Sequence, residues 1–89
     1  MISKDLTVAN KLGLHARAAA KLVALASNFA SEISIQKQDR KINGKSIMGV
    51  MMLAASKDTI VKIEIDGEDE QQAMNEIEKL FTNLFDEEE

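Results

Sequence analysis

The chain has no cysteine, no proline, no tryptophan and no tyrosine, and among its 89 residues there is one histidine and three phenylalanines. Without cysteine there is neither a disulfide framework nor a thiolate metal site, which fits a reducing compartment. With a single histidine besides, neither a metal centre nor a bound cofactor is expected. No apolar run approaches the length of a bilayer span, and the N-terminus lacks the basic-then-apolar pattern of a secretory signal. A cytoplasmic protein that does not enter membranes is therefore expected. The scarcity of aromatics leaves no platform for stacking bases. Charge gives nucleic acid no foothold either. The formal net charge is −4, and Asp86-Glu87-Glu88-Glu89 accounts for all of it, because without those four acids the chain has 11 basic and 11 acidic residues. A balanced body has no global pull toward nucleic acid or an anionic membrane surface. The length suits one domain over residues 1–89, with 86–89 a solvated, frayed acidic tail.

Hydrophobic periodicity orders what remains. Ile2, Leu6 and Val8 share one parity and Ser3, Asp5 and Thr7 the other, a half-buried strand in which Lys4 is the exception. A helix is predicted from about Ala16 to Asn28, its stripe of Ala18, Ala19, Leu22, Leu25, Ala26 and Phe29 recurring at three- and four-residue steps. Ala16 and Ala20 fall outside the stripe and leave a smooth surface for another protein. Glu32–Gln36 alternates as a second strand, and Arg40–Ile42 follows as a short third before Asn43-Gly44, read as a strand exit. Ile47–Leu53 is a short helix, apolar nearly all round, with Ser46 placed to cap its N-terminus. Either that helix is wholly buried, or Ile47, Met48 and Met51 form an exposed, adaptable docking patch. Thr59–Asp66 alternates most cleanly of all. A last helix begins with Glu68, Asp69 and Glu70 near its positive dipole end and runs to about Phe85, burying Ala73, Ile77, Leu80, Phe81 and Leu84. The order β-α-β-β-α-β-α makes an α+β sandwich, one face of the sheet covered by the helices and the other wet.

The chemistry concentrates in Leu12-Gly13-Leu14-His15-Ala16-Arg17. His15 falls at the mouth of the first helix, where the leading N–H groups have no intrahelical acceptor and the peptide dipoles sum to partial positive charge. Such an end suits an anion, and phosphate in particular. The same field favours a neutral imidazole, the nucleophilic form. The backbone of Ala16 and Arg17 could cradle phosphoryl oxygens, and the Arg17 guanidinium offers a fork that fits them. Against this, a lone histidine is more often a surface or partly buried residue, and His-x-Arg by itself is a weak motif. Ser46 by spacing alone is more simply a helix cap than a site. No second acid–base group stands at a predictable position, so an independent catalyst is not expected.

Taken together, Leu12 to Arg17 and Lys45-Ser46-Ile47-Met48-Gly49-Val50-Met51, with Gly67-Glu68-Asp69-Glu70 as a weaker third segment, resemble the histidine-containing phosphocarrier family, HPr and its nitrogen-branch relative NPr. The resemblance spans essentially the whole chain. It implies an open-faced sandwich with a four-stranded antiparallel sheet in the order 1-4-2-3. It also implies that His15 takes a phosphoryl group on Nδ1 from enzyme I, charged by phosphoenolpyruvate, and passes it to a IIA-type protein, with Arg17 helping to hold it. Ser46 matches the residue that an ATP-dependent HPr kinase/phosphorylase modifies in many members. Ala16, Ala20, Ile47, Met48 and Met51 would form the docking surface of a monomer. Some relatives lack the histidine and act as regulatory binding modules, a reading that here would rest on Ser46 and the Ile47/Met48/Met51 patch. The chain departs from the family pattern in two respects. Ala18 stands where proline is usual, and Ala24 and Ser27 stand where sugar-branch enteric members carry basic residues. The ending from Leu80 to Glu87 resembles NPr instead.

Overall fold

The alternating segments pair into a single antiparallel sheet. The computed structural model describes residues 1–86. In it β1 (Ile2–Thr7), β2 (Glu32–Lys37), β3 (Arg40–Asn43) and β4 (Ile60–Asp66) lie in the order β1-β4-β2-β3. Three helices, α1 (Ala16–Ala26), α2 (Ile47–Met52) and α3 (Glu70–Thr82), complete the open sandwich. Register follows the pattern of side chains. Leu6 pairs with Val61 and Ile35 with Ile63, so one parity of each strand faces the helices. Those residues, with Ile33 and Ile65, meet Ala18, Ala19, Leu22, Val23 and Ala26 of α1 and Ala73, Met74, Ile77 and Phe81 of α3 in one core. Ser3, Thr7 and Lys62 on the other parity are exposed. Lys4, which shares the inward parity, escapes burial by donating from Nζ to Glu78 Oε1 on α3 at 3.0 Å. Asn43-Gly44 is a strand exit, held by the Gly44 N–H donating to Ile33 O at 2.8 Å.

The helix limits differ modestly from expectation. α1 stops at Ala26, and residues 27–29 continue as a hydrogen-bonded turn, which leaves Leu25 and Phe29 half-buried and puts Val23 in the core. α3 ends at Thr82 rather than near Phe85. The chain then enters a 3-10 turn over Leu84–Asp86 in which all three residues have left-handed backbone, with φ of 56, 55 and 62°. That reversal turns Leu84 partly outward and drives Phe85 into the core, where its ring lies 4.8 Å from that of Phe81. The turn is fastened to α1 by Lys21 Nζ, which donates to Phe85 O at 3.0 Å. Asp86 closes it; residues 87–89, the rest of the expected frayed tail, lie outside the described residues.

The acidic start of α3 does more than complement a dipole. The carboxylate of Asp69, the N-cap residue, makes no capping bond to its own helix. It reaches the loop before β2 instead, accepting from Ala30 N at 2.8 Å, Ser31 N at 3.0 Å and the Ser31 hydroxyl. Gly67 permits this approach, because a Cβ there would lie 2.6 Å from Ser31 Cα. The Ser31 hydroxyl, then the Ala30 N–H, hold the Asp69 carboxyl below its ordinary value of 3.8. A carboxyl depressed in the folded state stabilises the fold above the unfolded value, and that contribution is lost as pH falls through the folded one. Asp69→Asn is therefore expected to lower the melting temperature at neutral pH and to flatten its decline below about pH 4. Thermal melts across an acid series read both effects. An unchanged acid limb would show that Glu64 and Glu70, also held low, by Lys41 and by the Gly67 N–H respectively, dominate it.

Candidate functional site

The loop leading to α1 is fixed by backbone bonds to the loop before β4. Val8 N donates to Thr59 O at 2.8 Å, Asp58 N to Val8 O at 2.6 Å, and Leu14 N to Ala55 O at 2.8 Å. The buried Asn10 folds the loop on itself, its Nδ2 donating to Gly13 O at 2.7 Å while Gly13 N donates to Asn10 O at 3.1 Å. This turn requires glycine at 13. Its φ is +67°, and a Cβ would sit 2.5 Å from Ala55 O and 2.8 Å from Ser56 Cα. Leu14 is buried, which pins the chain one residue before the histidine.

His15 is the N-cap residue of α1, with extended backbone (φ −76°, ψ −179°), and its carbonyl accepts from Ala19 N at 2.8 Å. Its side chain makes no capping bond to the helix. The ring is half-exposed, and Ala16 and Arg17 beside it are exposed. The first turn of α1 contains no acidic residue, so nothing within it opposes an incoming anion. The helix starts at Ala16 without a proline in its first turn, and Ala18 is fully buried in the core. The half-exposed His15 ring thus stands at the N-terminus of α1, with the exposed Ala16 and Arg17 following it in the first turn. A groove of about 420 Å³ lies elsewhere, on the wet face of the sheet beside Ser34, Lys41, Asn43 and Glu64, and none of the candidate residues lines it.

Ser46 caps α2, its Oγ accepting from Gly49 N at 3.0 Å and its carbonyl from Val50 N at 3.0 Å. Neighbouring Lys45 turns away and donates from Nζ to Phe29 O at 2.7 Å. Of the residues of α2 only Val50 is buried, and Ile47, Met48 and Met51 are 45, 70 and 42% exposed. The open alternative for this helix thus resolves toward an exposed apolar face. Ala16 and Ala20 are exposed on α1, which packs against α2. Sequence reasoning did not single out two further exposed apolar side chains, Leu12 and Met52, which are 67 and 61% exposed. Leu12 carried a signal. It and Leu14 flank the Gly13 turn, and a turn that buries one can turn the other out. Met52 carried none beyond the all-round apolarity of its helix. Among the described residues no cluster of three histidine or acidic side chains could hold a metal, and no helix is long and apolar enough to cross a membrane.

The chain is similar to known proteins over almost its whole length. Residues 2–83 match the family described as "PTS HPr component phosphorylation site". The phosphocarrier protein HPr of Xylella fastidiosa (strain Temecula1) is 54% identical over 98% of both chains. A crystal structure of HPr-C-His from Thermoanaerobacter tengcongensis superposes with a TM-score of 0.96 at 42% identity, covering the whole of both chains. An HPr dimer from the same organism matches with a TM-score of 0.79 at 41% identity, covering 98% of this chain and all of that one.

Proposed function

Since the chain belongs to the HPr family of phosphocarrier proteins of the phosphotransferase system, we propose that His15 is the residue it carries phosphate on, taken from enzyme I and handed to a IIA-type protein in the cytoplasm. The observation that carries this reading is the half-exposed imidazole at the N-cap of α1, with Ala16 and Arg17 exposed beside it. A phosphoramidate is a reactive bond, and a carrier must hold it within reach of two successive partners. A lone pair on Nδ1 attacks phosphorus, the N–P bond forms, and the donor's bond to phosphorus breaks with its electron pair leaving on the donor. The positive end of α1 and the Arg17 guanidinium offset the charge that arrives on the phosphoryl oxygens. Catalysis belongs mainly to the partners, and His15 is a covalent waypoint. Enzyme I docks as a protein on the apolar surface of Ala16, Ala20, Ile47, Met48 and Met51 beside the ring, to which Leu12 and Met52 are added. The chain meets it as a monomer. The test is incubation with enzyme I, Mg2+ and phosphoenolpyruvate, read by intact mass. Gain of a single phosphoryl group supports the carrier reading, and an unmodified chain in the presence of a competent enzyme I sinks it.

Ser46 adds a second, regulatory reading, that of a target for an HPr kinase/phosphorylase. Its hydroxyl already serves the N-terminus of α2, where a phosphate of about −1.5 to −2 charge would strengthen the cap. The same charge would stand at the edge of the apolar docking face and hinder enzyme I. Ser46→Asp is accordingly expected to raise the melting temperature slightly while slowing transfer from enzyme I roughly tenfold or more. Transfer rates equal to those of the native chain would count against control through Ser46.

A further inference from the structure

The helix that presents most of the docking face has little to hold it. α2 runs only from Ile47 to Met52, a length at which an isolated helix does not persist in water, and it buries a single side chain. Its last turn contains no basic residue of its own. The cations come from elsewhere in the chain. Lys37 Nζ donates to Leu53 O at 3.1 Å and Ala54 O at 3.3 Å, and Arg40 Nη1 donates to Met52 O at 2.7 Å. The carbonyls of the last helical residue, of the C-cap Leu53 and of Ala54 just beyond it are thereby satisfied by the β2–β3 hairpin. Lys37 and Arg40 are directly opposite one another in the hairpin register. Like charges in that position repel and weaken a hairpin, so the arrangement has no rationale within the sheet. It gains one when both charges converge on the negative end of a helix dipole.

We propose that Lys37 and Arg40 are positioning residues for phosphoryl transfer, a two-pronged clamp on the C-terminus of α2 that holds its exposed methionines in the geometry a partner recognises. The inference rests on the docking role proposed above. Ser46 fixes one end of the helix and the hairpin cations the other, so the face is ordered from its ends rather than from beneath. The flexible Met48, Met51 and Met52 side chains can then adapt to more than one partner while their backbone stays in place.

The experiment replaces both cations by methionine, Lys37→Met with Arg40→Met, which retains much of the aliphatic length and removes the charge. Amide hydrogen exchange in the free protein is expected to quicken roughly fivefold at Val50, Leu53 and Ala54, with β4 amides unchanged. Steady-state transfer from enzyme I should show KM raised by a similar factor and kcat changed by less than about twofold. The conservative pair Lys37→Arg and Arg40→Lys should restore both readouts. If exchange in α2 is unchanged the clamp is refuted, and a raised KM would then mean that the cations touch the partner directly. If exchange quickens equally in β4, the loss is global and the positioning role is likewise refuted. Failure of the native chain to accept phosphate from enzyme I would overturn the carrier reading instead, and the exchange measurement is independent of it.

Discussion

His15→Ala is expected to abolish phosphoryl acceptance from enzyme I while leaving the fold intact. The loss should be complete because no neighbouring side chain can substitute. Ala16 and Ala18 are inert, Leu14 is buried, and the Arg17 guanidinium, a donor with no acceptor lone pair, cannot attack phosphorus. The fold should survive because the imidazole is half-exposed and makes no capping bond to α1. The backbone on either side helps to position the residue, through the Gly13 turn, the buried Leu14 and the bond from Ala19 N to His15 O. All of these persist in the variant. The change in stability is expected to stay within about 0.5 kcal/mol. Intact mass after incubation with enzyme I and phosphoenolpyruvate, alongside urea denaturation of the same sample, separates loss of the nucleophile from loss of structure. A variant that still gains a phosphoryl group would place the acceptor elsewhere.

The second large effect concerns stability. Phe85→Ala is expected to destabilise the protein by about 3 kcal/mol, the lower end of what removing a buried phenyl ring costs, since the left-handed turn that delivers the ring can relax once it is gone. Left-handed backbone costs a non-glycine residue about 1–2 kcal/mol, and residues 84–86 adopt it in succession. The turn persists because Phe85 is fully buried against Phe81 and its carbonyl is tied to Lys21. Single domains have only about 5–15 kcal/mol in hand, so the melting temperature should drop by at least ~12 °C. Leu84→Ala, at a half-buried position, should cost about 1 kcal/mol. Urea midpoints for the pair test this directly, and equal losses would mean that the turn does not hold Phe85 as its anchor.

The contrast between Leu84 and Phe85 shows where sequence reading stopped. Strand positions were legible because period-two alternation must match the buried face of a sheet, and a slip of one residue would invert every side chain of β4. The limits of β1, β2, β3 and β4 consequently fall within a residue of expectation. The place of His15, Arg17 and Ser46 at helix starts was legible because a run of helix formers and a capping serine mark those ends. The end of α3 was not. Helical periodicity extended through Leu84 places that residue on the buried stripe, and nothing local announces a change to left-handed backbone at three non-glycine residues. That turn is imposed by tertiary packing, which local propensity cannot report. The same holds for Asp69, Lys37 and Arg40. Their partners are carbonyls and N–H groups of distant loops, and a backbone acceptor leaves no trace in a residue pattern.

The central claim is tested most directly by locating the phosphoryl group on the chain after transfer from enzyme I, using fragmentation that preserves labile bonds, together with its stability to acid and alkali. The account predicts a single group on His15, lost in acid and retained in alkali as a phosphoramidate is. An acid-stable phosphoryl group on Ser46, or none on His15, would contradict it.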